Sequence, residues 1–126
     1  MAQHIRAIGT DKFIDEWLAR PMFANLPLDR DDIVNRKTNS AEGLATSLEL
    51  SGVGTQDDLW SRLSELQMPV LIIAGALDVK FADIATRMHE RIANSELEIV
   101  ADSGHSVHLE KPNEFFAIVR EWLTSR

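Results

Sequence analysis

The sequence predicts an α/β protein with a parallel sheet, and three observations carry that reading. Pro69-Val-Leu-Ile-Ile-Ala74 is a continuous apolar run with β-branched residues, closed by Gly75. Such a run marks a strand covered on both faces, as parallel strands are. A second strand pattern, Glu96 to Ala101, follows one helical segment later. The order strand, helix, strand, helix then implies a right-handed parallel crossover. Ahead of this, residues 1–66 show helical spacing broken by polar loops. The chain is therefore read as a helical subdomain or lid, 1–66, followed by a βαβα segment, 67–126.

The elements follow in order. Asp11 to Ala19 carries Phe13, Ile14, Trp17 and Leu18 at helical spacing, and Pro21 ends it. Asp29 to Arg36 reads as a short helix. Asn39 or Ser40 can cap a helix running to about Leu50, with Leu44, Ala45 and Leu48 as its stripe. Gly52 and Gly54 stop it. Thr55 is expected to cap a further helix bearing Leu59, Trp60, Leu63 and Leu66. In the second segment, Phe81 to Ala93 is a helix with Phe81, Ile84, Ala85, Met88 and Ile92 on one side. Pro112 suits the first turn of the last helix, whose apolar face is Phe115, Ile118, Val119 and Trp122.

A strand as apolar as Val70–Ile73 needs neighbours at both edges, yet the sequence offers one other clear strand. Two parallel strands alone leave backbone donors and acceptors unpaired along an edge. The sheet is thus expected to be incomplete in this chain. A missing N-terminal half, a second chain or a homodimer partner would complete it. The competing reading is a strand hidden in the first segment, or a short sheet covered by the helices.

Composition narrows the function. The 126 residues suit one domain of ordinary size. Thirteen Lys plus Arg against twenty Asp plus Glu give a net charge of −7. With no basic cluster, such a chain is a poor ligand for DNA, RNA or anionic membranes. It has no cysteine. That excludes disulfides, thiolate catalysis and Cys-based metal sites, and it fits a reducing cytoplasm. The longest mainly apolar run, Met68 to Leu77, is about half of the ~20 residues a spanning helix needs. The first residues, Met-Ala-Gln-His-Ile-Arg, hold no signal-peptide core. A soluble, cytoplasmic protein is expected. No dinucleotide or phosphate fingerprint occurs, so no cofactor is expected.

Two loops can carry chemistry. One is Gly75-Ala-Leu-Asp78-Val-Lys-Phe81, directly after the first strand. The other is Asp102-Ser-Gly-His105-Ser-Val-His108-Leu-Glu-Lys-Pro112, directly after the second. Ligands of open parallel sheets sit at the carboxyl ends of the strands, where both loops lie. An Asp and a His at neighbouring strand ends can meet. The carboxylate then accepts the imidazole Nδ1–H, fixes the tautomer, and leaves the other nitrogen to work as a base. The plainer readings are that Asp78 caps the helix near Phe81 and that His105 is an ordinary turn residue. A His105-x-x-His108 zinc pair has no further ligands in view, so no metal is expected. His4 and His89 read as surface residues.

Gly-x-x-Asp after one strand and Ser-Gly-His-x-x-His-x-Glu-x-Pro after the next resemble the last two triad segments of the α/β-hydrolase fold. That fold orders its triad nucleophile, acid, histidine along the chain. The resemblance covers Met68 to the C-terminus and implies Asp78 as triad acid and His105 as triad base. A narrower resemblance extends into the helical segment. Gly75-x-x-Asp78-x-Lys80-Phe81-x-x-Ile84-Ala85 is similar to the 2-succinyl-6-hydroxy-2,4-cyclohexadiene-1-carboxylate synthases of menaquinone biosynthesis. So are Trp17 with Pro21-Met-Phe23, Asn39 through Gly43-Leu-Ala, Gly52-Val-Gly-Thr-Gln56, and Leu59-Trp60.

Members of that family eliminate pyruvate from a small-molecule substrate, using the triad as a base system. The resemblance places Trp17 beside the substrate; Phe23, Arg36 and Phe81 are expected to help shape the pocket. Arg36 would pair with a substrate carboxylate; a solvated surface charge is the alternative. The sequence departs from the family at Leu18, where an aromatic hydroxyl is common. It also contains no Gly-x-Ser-x-Gly. The expected function is thus the lid and acid/base portion of an α/β-hydrolase-fold lyase, its serine coming from outside this chain. A carboxylesterase or C–C bond hydrolase of the same fold is one alternative. An inactive fragment or assembly module is another.

Overall fold

A computed structural model of the chain describes residues 1–125. It shows two compact units. One comprises Met1–Pro21 and Leu28–Asp58; the other comprises Met22–Pro27 and the chain from Leu59 onward.

The first unit is helical: α1 (Ala2–Ile8), α2 (Thr10–Leu18), α3 (Arg30–Lys37) and α4 (Ala41–Ser51). Its core is Ile5, Phe13, Ile14 and Ala45, flanked by Trp17, Leu18 and Leu44. The stripe read for α2 faces this core, as do Leu44 and Ala45 of the α4 stripe, but Leu48, expected on the same face, is exposed. Helix α1 was not foreseen. It is short, has no side-chain cap, and offers few large apolar residues, yet Ile5 is fully buried. Gly9 separates it from α2 with φ of 80°, a left-handed conformation that costs glycine little. Asp29 opens α3 through a reciprocal capping box with Asp32. Ser40 opens α4, its hydroxyl accepting the Gly43 amide at 3.0 Å.

The helix expected after Thr55 does not form. Short 3-10 turns stand there instead, at Val53–Thr55 and Trp60–Glu65. The Thr55 hydroxyl donates back to the Gly52 carbonyl rather than capping forward. Trp60, Leu63 and Leu66 are spaced by three, which fits a 3-10 turn as well as a helical stripe.

The second unit is α/β. Strands β1 (Val70–Gly75) and β2 (Ser95–Val100) pair in parallel, with Val70 opposite Ser95 and Gly75 opposite Val100. Helix α5 (Val79–His89) makes the crossover between them. A short α6 (Val107–Glu110) and then α7 (Pro112–Thr124) follow β2. Among the described residues the sheet has these two strands. Ile72, Ala74, Ala85 and Ile92 form the core, packed by Leu63, Leu66, Val70, Met88 and Leu97. Strand β1 was expected to be covered on both faces. It buries Ile72, Ala74 and Gly75 but leaves Val70, Leu71 and Ile73 half-buried. No helix among the described residues is long and apolar enough to cross a membrane.

Candidate active site

The site lies at the carboxyl ends of β1 and β2, within the α/β unit. The two post-strand loops are laced together. The Ala76 amide donates to the Val100 carbonyl and the Leu77 amide to the Ser103 carbonyl, each at 2.9 Å. They approach so closely at Gly75 that a Cβ there would overlap the carbonyls of Ser103 and Gly104. After β2 the chain turns sharply at Asp102, whose φ of 53° is left-handed. Aspartate tolerates that region better than most residues.

This lacing brings Asp78 to His105. Asp78 Oδ2 stands 2.5 Å from His105 Nδ1. The other carboxylate oxygen, Oδ1, accepts the Phe81 amide at 3.4 Å and caps α5. The capping and pairing readings of Asp78 are thus both realised, one on each oxygen. The Asp78 side chain is 11% exposed and that of His105 is 29% exposed. The carboxylate is therefore well shielded from water, while part of the imidazole stays accessible. Phe81 meets the His105 ring edge-on at 4.6 Å, and Phe23 does so at 6.1 Å. A cavity of about 190 Å³ opens beside the pair, walled by Ile73, Phe81, Ile84 and Met88.

Four of the residues singled out from sequence, Asp78, His105, Phe23 and Phe81, therefore meet in one unit. The other two, Trp17 and Arg36, belong to the helical unit. Trp17 stacks on Phe13 at 5.8 Å, with the Arg20 guanidinium 4.3 Å above its ring. Arg36 is exposed on α3. His108 is exposed and lies 6.0 Å from the Phe115 ring. Among the described residues, no three His, Cys, Asp or Glu side chains are grouped to hold a metal ion. His4 pairs with Glu16, and His89 with the Ser95 hydroxyl.

Sequence reasoning assigned no role to Glu110. Its carboxylate takes the amide hydrogens of Gly104 and Ser106, which flank His105. The available signal was an acidic residue in the turn just past a candidate catalytic histidine.

No family model matches the chain. Curated relatives do. A putative 2-succinyl-6-hydroxy-2,4-cyclohexadiene-1-carboxylate synthase of Bacillus subtilis (strain 168) is 39% identical over 99% of this chain and 47% of its own length. The synthase of Serratia proteamaculans (strain 568) is 32% identical over 98% of this chain and 48% of its own. The solved structure of MenH from S. aureus matches with a TM-score of 0.92 and 31% identity, over 98% of this chain and 48% of that one. The chain is a relative of these synthases.

It spans about half the length of the relatives it matches. A proline iminopeptidase from Mycobacterium smegmatis, 20% identical, shares the fold with a TM-score of 0.66. The α/β-hydrolase class and the synthase resemblance read from the sequence are both borne out.

Proposed function

We propose that this chain supplies the acid and base of an α/β-hydrolase-fold lyase that eliminates pyruvate in menaquinone biosynthesis. The observation that carries the reading is the Asp78–His105 contact at neighbouring strand ends, in a chain related throughout to such synthases. Asp78 accepts the Nδ1–H of His105 and so selects the tautomer with a lone pair on Nε2. That nitrogen takes the proton of a serine supplied from outside this sequence, and the activated oxygen removes a proton from the substrate. Asp78 then stabilises the imidazolium without itself becoming protonated. Phe23 and Phe81 hold the ring between apolar edges and give the small-molecule substrate an apolar wall. For Trp17, support for a substrate-binding role comes from the resemblance, and for Arg36 from the capacity of a guanidinium to pair with a carboxylate. The cysteine-free composition supports a cytoplasmic setting.

The test is reconstitution. The chain is co-expressed with the half of the Bacillus subtilis relative that it does not match, and pyruvate release is followed. Pyruvate is expected from the pair carrying wild-type His105. His105→Ala should lower its rate by about 10²–10⁴-fold, the usual contribution of a general base. Undiminished release in the variant would place the base elsewhere. Ester cleavage without pyruvate would make the protein a hydrolase. A stable complex with neither activity would leave an assembly role.

A further inference from the structure

We propose that Glu110 is a positioning residue for His105, holding the backbone on both sides of the imidazole with one carboxylate. This rests on the reading of His105 as the base. Oε2 accepts the Gly104 amide at 2.6 Å, and Oε1 accepts the Ser106 amide at 3.0 Å. Each oxygen thus takes one amide, and His105 is the single residue between them. Bonds to an ionised acceptor are shorter and stronger than neutral ones. The Ser106 amide belongs to the peptide plane that directly follows the His105 Cα, and the Gly104 amide to the plane one residue before the one that precedes it, so the same carboxylate holds the chain just before and just after His105.

Three further features fit this role. Gly104 is buried, and a Cβ there would stand 3.1 Å from both Glu110 oxygens. Glycine is what lets the carboxylate come so near. The Ser106 carbonyl accepts the amides of Leu109 and Glu110 at 2.8 and 2.9 Å, closing the same turn from its other side. Helix α6 has four residues, too few to persist as an isolated helix. The carboxylate bridge and the buried Val107 anchor it. The ring itself has little latitude. Its Nδ1 is held within hydrogen-bond distance of Asp78, and a misplacement of about 1 Å can cost 10²-fold in rate.

The test is NMR on the whole chain, with thermal unfolding alongside. The wild type should show a low-field, slowly exchanging His105 Nδ1–H resonance and protected Gly104 and Ser106 amides. Asp78→Asn should abolish that resonance. Glu110→Ala should abolish it too, or raise its exchange with water at least tenfold, while the β1 amides keep their protection. An unchanged resonance in folded Glu110→Ala overturns the positioning role and leaves the Asp78 pairing standing. If the wild type shows no such resonance, the pairing falls, and the positioning role falls with it. Should Glu110→Ala fail to fold, Glu110→Gln is read in its place, since its amide keeps one acceptor oxygen. One flanking amide should then lose protection and Nδ1–H exchange should rise; no change in either overturns the proposal.

Discussion

Two sets of carboxylates, one in each unit, work in different ways. In the helical unit, Glu42, Glu49 and Asp15 meet permanent cations. Arg6 on α1 reaches Glu42 and Glu49 on α4 through N–H···O contacts of 2.6–2.8 Å. Lys37 on α3 reaches Asp15 on α2 at 2.6 Å. The hydrogen bonds from Arg6 pull Glu42 down to about 2 and lower Glu49, and the guanidinium is itself pushed above its ordinary value. In the α/β unit, Asp78 meets an imidazole and a backbone amide, and Glu110 meets two backbone amides. A guanidinium cannot give up its proton, so it fixes a carboxylate's charge and nothing more. An imidazole can, so the same carboxylate beside it becomes part of a proton-transfer device. The partner decides which role a carboxylate plays.

The largest effects should come from the α/β carboxylate. In the reconstituted pair, Asp78→Asn should lower pyruvate release by about 10²–10⁴-fold, because the tautomer and orientation of His105 are lost. Arg6→Met should leave the turnover of folded protein unchanged. Equal losses from both substitutions would break the contrast between the units.

A smaller but large structural effect is expected at Gly75. Its missing Cβ makes room for the carbonyls of Ser103 and Gly104. Gly75→Ala should destabilise the chain by about 1–3 kcal/mol in urea unfolding, the usual range for overpacking. The Asp78–His105 contact should weaken in parallel.

The helical unit should announce its ion pairs through pH. Glu42 and Glu49 have folded values below their ordinary 4.5. Their contribution is therefore complete above that value; for Glu42 it is lost as pH falls from about 4.5 toward about 2, and for Glu49 it is lost below about 4.5. Amide exchange in α1 and α4 should quicken across that window in the wild type. In Arg6→Met the quickening should be smaller, because unpaired carboxylates titrate near their ordinary value in both states. An identical profile in the variant would deny Arg6 this role. The smallest effect is expected at Ser103, whose fully buried hydroxyl has no hydrogen-bond partner among the described residues. Ser103→Ala should change stability by no more than about 1 kcal/mol in either direction.

Much of this was legible in the sequence, for identifiable reasons. The apolar run at Val70–Ala74 has one physical use, so β1 was readable almost to the residue. The Asp and His loops follow strands directly, and parallel pairing then places them together. Two things escaped. Helix α1 derives its stability from burying Ile5 among Phe13, Ile14 and Ala45, a tertiary effect with no local signature. The segment after Thr55 satisfies both 3-10 and α spacing, and its polar Gln56-Asp-Asp58 stretch gave nothing to arbitrate. Glu110 was visible only as a letter in a motif. Its role depends on the chain folding back over Gly104, which spacing does not reveal.

The central claim is that Asp78 sets the protonation pattern of His105, and nitrogen-15 NMR of the imidazole tests it most directly. In its neutral form His105 should carry its proton on Nδ1 and leave Nε2 with the lone pair, and Asp78→Asn should erase that preference. A neutral His105 protonated on Nε2, or a tautomer indifferent to Asp78→Asn, would contradict the account.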